Sequence, residues 1–493
     1  MCEDHVSVSH PHLFEISAWP WLERISKRER RHVTLADVPA SEWDALAARG
    51  FSLVFLMGVW RRSAIGRELA LSDPELRHDY DRALPGWRDA DVVGSPYCIR
   101  EYEPDARMGG WDGIDRARAE LRRRGIGLVL DFVPNHTAFD HPWVAAHPER
   151  YVLGTERDAE QAPGEFRRAN HAVIACGRDP YFPAWQDVAQ LNYFNPDTRT
   201  AMIDELGRIA AHADGVRCDM AMLVLNDIFE RTWRRVLGNR WPPLHAEFWP
   251  TATREVPGLT YIAEVYWDLE WTLQEQGFHY TYDKRLLDRL HASSPGDVRA
   301  HLRADPPFRD RLARFLENHD EPRSAVSVAH RLLPAATLVA TLPGLRFFFD
   351  GQLEGRRVRT PVQLARWPDE PVDQPIARLY DRLLRTASDA VFHVGEWKLL
   401  ELSAAGDDTF SDLAAYRWRH GASLAVIVVN LGSQTAQAHV ALAEDVVRGG
   451  DAFDFEDVLT DTSFRWTREA LVSRGLYVRL NAGAAHAFMV RLI

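Results

Sequence analysis

Acidic residues lie at or near the ends of four apolar segments of the sequence. Asp131 lies in "LVLDFV", Asp219 ends "GVRCD", Glu264 ends "TYIAE" and Asp320 ends "FLENHD". Arg217 and Asp219 are two residues apart, so in a strand both side chains point to the same face. A buried charge is costly unless it is paired, and one such strand also fits a structural ion pair. Four segments that each carry acidic residues favour a functional site.

Two chemistries use clustered carboxylates without cysteine ligands. One is a hard-metal site, in which Asp and Glu hold Mg²⁺ or Mn²⁺. The other is glycoside hydrolysis, which needs a carboxylate nucleophile and a second carboxyl group as general acid/base. Arg217 favours the second chemistry, because a cation lowers the pKa of Asp219 and repels a metal ion. His136 and His319, close to two of the segments, can donate hydrogen bonds to sugar hydroxyls.

Short apolar runs alternate with amphipathic helical stretches from about residue 12 to residue 390. Eight runs indicate strands: "LFEISAW", "SLVFLMGV", "IGLVLDFV", "DGVRCD", "TYIAEVYW", "FHYTYD", "ARFLEN" and "GLRFFFDG". Repeated strand–helix units with near-continuous apolar strands predict an α/β fold, and eight units predict a (β/α)8 TIM barrel. A doubly wound sheet is the alternative. In a TIM barrel the active site forms at the C-terminal ends of the strands, where the four acidic segments would meet.

Two stretches depart from the barrel pattern. Residues 137–190 are rich in Pro, His, Gly and aromatic residues and weak in periodicity, which predicts an inserted loop-rich subdomain after the third strand. Residues 394–493 contain short alternating strands such as "SLAVIVVNL" without helical repeats, which predicts a C-terminal all-β sandwich domain. The catalytic barrel is therefore expected over residues 1–393, with the insertion inside it.

The composition is that of a soluble globular protein, with 46% hydrophobic and 26% charged residues among 493. A net charge of -12 argues against nucleic acid or an anionic membrane as a partner. The cysteines, which are Cys2, Cys98, Cys176 and Cys218, form no CxxC pair, so neither a disulfide framework nor a zinc cluster is expected. Without a signal-peptide pattern or a membrane-length apolar run, a cytoplasmic protein is expected.

Six motifs occur in the order found in one known family. "DFVPNH", "GVRCDMAM", "EVYW" and "ENHD" are similar to the four ordered signatures of glycoside hydrolase family 13, the alpha-amylase family. "AQLNYFNPDTR", residues 189–199, resembles the fifth signature of that family, and "GSPYCIREY" resembles its second-loop tyrosine segment. The resemblance covers about residues 10–390 and implies a retaining glycosidase on a barrel with a domain inserted after the third strand.

The resemblance also implies a role for each matching residue. It makes Asp219 the nucleophile, Glu264 the general acid/base and Asp320 the stabiliser of the transition state. It implies a structural role for Asp131, whose carboxylate would position Arg217. The residues that it implies for substrate binding are Tyr97, His136, Arg217 and His319. For Glu317 a loop hydrogen bond is at least as good an interpretation.

Chemical reasoning agrees with these roles. Carboxylates on adjacent barrel strands can approach to about 5–5.5 Å, the spacing of a double-displacement, retaining mechanism. Asp219 would attack the anomeric carbon while Glu264 protonates the departing oxygen. The apolar neighbours of Glu264 in the chain, Val265, Tyr266 and Trp267, would raise the pKa of its carboxyl group by desolvation.

The motifs also depart from the family at two places, and a third position, Asn135, has two interpretations. Met222 and Leu223 stand where many alpha-amylases have a Lys-His pair, and Asn135, at a position where some members bind calcium, also fits a local cap. We therefore expect no metal and no other cofactor. Gly94 stands where many exo-acting members have an acidic residue, so neither a standard endo-amylase nor a standard exo-glucosidase is reproduced.

Three functions remain open. The leading one is a retaining α-glycosidase that hydrolyses small α-glucosides or maltooligosaccharides. The alternative is a transglycosidase or sucrose-type phosphorylase on the same machinery. A catalytically silent sugar-binding protein is less favoured, because all three catalytic carboxylates are present. The expected partner is a small carbohydrate and neither nucleic acid nor membrane, and the oligomeric state is left open.

Overall fold

A closed barrel of eight parallel strands forms the centre of the protein and confirms the predicted TIM barrel. The computed structural model describes residues 9–242, 244–292, 294–446 and 450–492, so Cys2 lies outside the described residues. Each strand pairs with the one before and after it, and the eighth pairs with the first. From first to eighth the strands are His12–Ser17, Leu53–Met57, Gly127–Phe132, Gly215–Cys218, Thr260–Ala263, Tyr280–Tyr282, Leu312–Arg314 and Leu345–Phe349.

The barrel strands are apolar along their length because both of their faces are buried. Alternate residues fill the barrel interior, among them Leu13, Phe55, Val129 and Phe347. Their neighbours in sequence pack under the outer helices. The main helices are Ala18–Glu29, Ala40–Ala48, Gly110–Arg122, Pro196–His212, Asn226–Leu237, Phe248–Glu255, Glu270–Glu275, Lys284–Ala292, Pro295–Leu302, Leu332–Thr341 and Gln374–Ala387.

Two segments between barrel strands have structure of their own. The loop after the second strand contains a two-stranded antiparallel sheet and two helices, which are Trp60–Arg62, Ile99–Pro104, Ala64–Ser72 and Pro74–Ala83. The insertion after the third strand contains a four-stranded antiparallel sheet. In spatial order its strands are His136–Ala138, Trp185–Gln190, Ala172–Gly177 and Phe166–Ala169. Two short helices, Pro142–Ala146 and Glu156–Gln161, accompany that sheet.

The C-terminal part is a β domain with two antiparallel sheets, as predicted. In spatial order, the first sheet consists of Glu396–Leu399, Leu413–His420, Ser423–Asn430, Ala485–Leu492, Ala452–Asp457 and Thr462–Thr467. The second sheet consists of Leu402–Ala404, Ala436–Val440 and Leu476–Leu480. An apolar core lies between the sheets. No helix of the described residues is both long and apolar enough to cross a membrane.

The β domain and the barrel share a buried interface. On the strand Ser423–Asn430, Val426 and Val428 face the other sheet, whereas Ala425 and Ile427 join the core of the barrel. The fully buried Trp418 donates a hydrogen bond from Nε1 to the Thr341 carbonyl oxygen at 2.7 Å. Both faces of this central strand are therefore covered, which explains the continuous apolar run "LAVIVV".

Candidate active site

One buried arginine joins two carboxylates at the C-terminal end of the barrel. Arg217 lies on the fourth strand, and its side chain is 1% exposed. Its Nη1 donates a hydrogen bond to Asp219 Oδ1 at 2.7 Å, and its Nη2 lies 2.7 Å from Glu264 Oε2. Three of the residues selected from the sequence are therefore brought together by a single guanidinium group.

Two rings hold the Arg217 guanidinium in place. Its Cζ lies 5.2 Å from the centre of the Tyr97 ring and 5.7 Å from the centre of the Tyr282 ring. The Nε of Arg217 also donates a hydrogen bond to Tyr282 Oη at 3.3 Å. Aromatic rings attract a cation electrostatically, and this attraction is stronger where water is excluded, so the two rings help to hold the guanidinium in place. Tyr282 was not selected from the sequence, although the sixth-strand segment "FHYTYD" contains it.

Glu264 is surrounded by hydrogen-bond donors and apolar groups. The Met220 N–H donates to Oε2 at 2.9 Å, and Tyr266 Oη donates to Oε1 at 2.9 Å. Met220 has a φ of 42°, in the left-handed region that few non-glycine residues adopt. In this backbone conformation its N–H points at the Glu264 carboxylate. Burial raises the pKa of Glu264 to about 7; Arg217 opposes the rise and the charge of Asp219 adds to it. The group can therefore carry a proton at neutral pH.

Asp219 lies in the same desolvated site and accepts a hydrogen bond from the other terminal nitrogen of the Arg217 guanidinium. Burial raises its pKa, while the charge and the hydrogen bond of Arg217 oppose this rise. The Asp219 N–H donates to the Phe132 carbonyl oxygen at 2.8 Å, which fixes the backbone beside the third strand. A hydrogen bond from a cation favours the ionised carboxylate, the form that a nucleophile needs.

His319 connects Asp320 with two further site residues. Its Nε2 lies 2.9 Å from Asp320 Oδ2 and 2.5 Å from Tyr97 Oη, and its Nδ1 lies 2.5 Å from Glu15 Oε1. Burial lowers the pKa of His319, but the charges of Asp320 and Glu15 outweigh this and raise it well above the ordinary value. Burial by itself would raise the pKa of Asp320, but the positive charge of His319 outweighs this effect and lowers it. A charged imidazolium and a carboxylate thus lie side by side.

Glu15 is a site residue that the sequence reasoning missed. It lies on the first barrel strand, is fully buried and faces the interior with Leu13. The available signal was the acidic residue in "LFEISAW" at an inward-facing position of an apolar strand. Because Glu15 belongs to none of the recognised motifs and has no acidic neighbour in the sequence, its role could not be identified there.

His136 differs from His319 in its charge. It begins the first strand of the insertion, and its ring packs edge-on against Trp185 with centroids 5.4 Å apart. Burial lowers the pKa of His136 to about 4, and a hydrogen bond to the backbone of Tyr97 opposes this only in part. The structure therefore places His136 beside Tyr97 as a neutral imidazole. Its own site role stays a prediction.

Asp131 lies level with Arg217 on the neighbouring third strand. Its Oδ2 accepts a hydrogen bond from the Gly58 N–H at 2.8 Å, and its Oδ1 is buried without a hydrogen-bond partner among the described residues. Burial raises the pKa of Asp131 to about 7, and the charge of Arg217 opposes the rise.

Glu317 accepts hydrogen bonds from Arg323 Nη1 at 2.8 Å and from the Ser324 N–H at 2.5 Å, so it bonds within its own loop.

The side-chain amide of Asn135 pairs with the side-chain amide of Gln190. Gln190 Nε2 donates to Asn135 Oδ1 at 2.9 Å, and Asn135 Nδ2 donates to Gln190 Oε1 at 3.2 Å. The oxygen that would serve as a cation ligand therefore faces an N–H donor. Met222 and Leu223 are buried apolar residues of the short helical segment Ala221–Val224. Within the described residues, no group of three or more His, Cys, Asp or Glu could hold a metal ion.

Known proteins with related sequences cover much of this chain. Alpha-amylase 3 of Dictyoglomus thermophilum is 22% identical over 298 residues, which is 54% of this chain and 55% of that protein. Alpha-1,4-glucan:maltose-1-phosphate maltosyltransferase 2 of Streptomyces coelicolor is 26% identical over 504 residues, which is 91% of this chain and 63% of that protein. The chain thus spans about half to two thirds of the length of these relatives. No family model matches it.

A solved structure agrees in fold over almost the whole chain. The maltogenic alpha-amylase AmyB from Thermotoga neapolitana aligns with a TM-score of 0.68 and 20% identity over 98% of this chain and 99% of that one. At this identity the alignment establishes the shared fold alone. The relatives, the fold and the ordered motifs together confirm that the chain resembles glycoside hydrolase family 13, the alpha-amylase family.

Proposed function

We propose that the protein is a retaining α-glycosidase that hydrolyses the α-glucosidic bonds of small α-glucosides or maltooligosaccharides. The observation that carries this proposal is that the carboxyl groups of Asp219 and Glu264 both contact the guanidinium of Arg217. Asp219 accepts a hydrogen bond from the guanidinium, whereas the pKa of Glu264 is raised to about 7. One group is thus suited to attack and the other to donate a proton, which is the division of roles that the reaction needs.

The proposed reaction proceeds in two steps. In the first, a carboxylate oxygen of Asp219 bonds to the anomeric carbon, the glycosidic bond breaks and the Glu264 proton passes to the departing oxygen. In the second, Glu264 takes a proton from water, whose oxygen bonds to the anomeric carbon and displaces Asp219. Asp320 and the charged His319 would bind sugar hydroxyls next to the Tyr97 ring, and both would act in each step.

A transglycosidase or sucrose-type phosphorylase is the second candidate, and one observation favours it. A cavity of about 630 Å³ has Met220, Tyr266 and Trp267 in its wall, and Met220 and Tyr266 both donate hydrogen bonds to Glu264. Aromatic faces in such a cavity can hold a sugar acceptor in place of water. Both candidates pass through the same intermediate on Asp219, so they differ in the acceptor alone. A silent binding protein stays the least favoured function, because the catalytic carboxyls are present and paired.

A product screen by chromatography separates these functions. The purified protein is incubated with maltose, isomaltose, trehalose, sucrose and maltooligosaccharides, each with and without inorganic phosphate. We expect free glucose at a rate that phosphate does not change. Phosphate-dependent sugar phosphate would overturn the hydrolase proposal, and longer oligosaccharides as main products would favour transfer. The Asp219→Asn variant is the matched control for contaminating activity.

A cytoplasmic location is also proposed. Its support is the state of the described cysteines, because Cys98, Cys176 and Cys218 are buried free thiols. Disulfides are typical of oxidising compartments, and free thiols persist where the surroundings are reducing. Fractionation of the source cells with an antibody to the protein is the test, and recovery in the medium or an envelope fraction would contradict the proposal.

A further inference from the structure

The two sides of the catalytic site differ in the space they offer. The cavity of about 630 Å³ is lined by Met220 and Tyr266, which both donate hydrogen bonds to Glu264, the residue that a leaving group must face. Behind His319, on the other side, a cavity of about 10 Å³ remains. Such a volume holds about one water molecule at most, and no sugar ring. The larger cavity can therefore hold a sugar ring, whereas the small cavity behind His319 cannot.

A segment after the eighth strand forms the closed wall. We call residues 360–367 the strap; Thr360, Val362 and Leu364 of this segment line the small cavity together with His319. The strap pairs with residues 91–93 of the loop after the second strand. The Val93 N–H donates to the Gln363 carbonyl oxygen at 2.8 Å, and the Ala365 N–H donates to the Asp91 carbonyl oxygen at 2.7 Å. The two loops thus form a short antiparallel pair.

Two arginines strengthen this pairing. Arg366 donates two parallel hydrogen bonds to the Asp91 carboxylate, at 2.7 and 2.9 Å, an arrangement that is both strong and directional. The buried Arg62 donates from Nη1 to the Gly94 carbonyl oxygen at 2.5 Å and to the Val362 carbonyl oxygen at 3.1 Å. One guanidinium therefore joins both loops.

Trp367 anchors the end of the strap. Its ring lies against the guanidinium groups of Arg24, Arg323 and Arg356, at 5.7, 5.0 and 5.4 Å, and packs edge-on against Phe349 at 5.8 Å. Contacts of this kind between a cation and an aromatic face are stabilising, and more so where water is excluded. The strap is thus held at its end as well as by its pairing, so the wall is part of the folded structure.

The direction of the substrate follows from Glu264. The departing oxygen on C1 must face this residue, which lies after the fifth strand. C4 lies at the opposite end of a pyranose ring, so it points across the barrel mouth toward the first, second and eighth strands. The strap closes that side. A further sugar attached at C4 would need the space that the strap fills.

We propose that the strap makes the site a pocket for the terminal, non-reducing glucosyl unit, so that the enzyme releases one unit at a time, cleaves no internal bond and rejects chains blocked at that end. This inference rests on the proposed function. Gly94, where exo-acting relatives have an acidic residue, contributes its carbonyl oxygen to the closure. The closure therefore comes from the ties between the loops, with no acidic side chain at this position.

The experiment compares two maltoheptaosides that differ at the non-reducing end. One has free hydroxyls there, and the other carries an ethylidene acetal across O4 and O6. Chromatography follows the first products of each. We expect glucose as the first product of the free-ended substrate and no product above background from the blocked one. Internal cleavage of the blocked substrate at a comparable rate would overturn the proposal.

Binding distinguishes failure of this inference from failure of the proposed function. The Asp219→Asn variant is titrated by calorimetry with free-ended and with end-blocked maltoheptaose. Binding of the free-ended chain alone supports the closed pocket, even if the wild-type protein hydrolyses neither. Equal binding of both chains overturns the closed pocket, even if hydrolysis is observed.

Substitutions test whether the strap is the wall. Arg366→Ala and Arg62→Ala each cut one tie between the loops, and we expect both to raise the ratio of end-blocked to free-ended cleavage. Arg77→Ala is the matched control, because Arg77 donates to the Leu71 carbonyl oxygen within the loop after the second strand and away from residues 91–93. Circular dichroism and thermal melting confirm folding. An unchanged ratio in both folded strap variants would overturn the assignment of the wall to the strap.

Discussion

Glu15 Oε1 lies 2.5 Å from His319 Nδ1, which joins the first barrel strand to the loop after the seventh. This buried pair holds His319 in the charged form in which it meets Asp320. The buried Glu15 carboxylate would therefore stabilise the charged His319 from behind, without itself contacting the sugar. It also explains why an interior strand position of the barrel carries a carboxylate.

The Glu15→Gln variant is expected to lower the pKa of His319. Loss of one of the two neighbouring anions leaves burial to favour the neutral imidazole. An NMR titration of histidine-labelled protein should show the wild-type ring protonated through neutral pH and a lower midpoint in the variant. Glu149→Gln, at an exposed position far from His319 in sequence, is the control and should leave the His319 titration unchanged. Coincident wild-type and Glu15→Gln curves would contradict the role of the pair.

The Glu264 carboxyl group should set the alkaline limit of activity. With its pKa raised to about 7, it loses the catalytic proton as the pH rises through that value, so kcat/KM should fall on the alkaline side. The Tyr266→Phe variant removes a donor that favours the ionised form, so this limb should move to higher pH. Tyr181→Phe, an exposed ring nearby, is the control. A shift to lower pH in Tyr266→Phe would refute this account of the hydrogen bond.

Calcium should be dispensable for stability. The Asn135 oxygen accepts from Gln190 Nε2, so a cation would have to displace an existing amide pair. Thermal melting before and after treatment with a chelator should give the same Tm. A large drop in Tm that calcium restores and magnesium does not would mean that this amide pair opens to bind the ion.

The interface between the β domain and the barrel should contribute strongly to stability. Replacing a fully buried aromatic side chain with Ala typically costs about 3–5 kcal/mol, so Trp418→Ala should lower the free energy of unfolding by about that amount. The control is Trp466→Ala, since this ring is only half-buried in the β domain. Denaturant unfolding measures both. Equal small losses would indicate that the interface adds little.

The sequence predicted the barrel well because its strands are buried on both faces. The run "LVFLM" has no polar residue, and "LRFFF" has only Arg346, so their limits are easy to recognise. The strands of the insertion are short and partly exposed, as in "FRRA", so their period could not be recognised. The pairing of Asp91 with Arg366 was unpredictable for another reason, because it joins residues 275 apart that no local pattern connects.

The residues of the site divide in the same way. Asp219, Glu264 and Asp320 were identifiable because each lies in an ordered motif at a strand end. Tyr282 and Glu15 were not, since their importance comes from the side chains that they face across the barrel. Such partners depend on the closure of the sheet, which places residues of the first and seventh strand regions in contact.

The central claim is that Asp219 attacks and Glu264 moves the proton, and α-glucosyl fluoride with azide tests it most directly. Fluoride leaves with little protonation, so Glu264→Gln can still form the covalent intermediate, and azide needs no base to discharge it. We predict that Glu264→Gln with azide yields an α-glycosyl azide and that Asp219→Asn does not. Rescue of Asp219→Asn to the same α-product, with none for a correctly folded Glu264→Gln, would contradict the account.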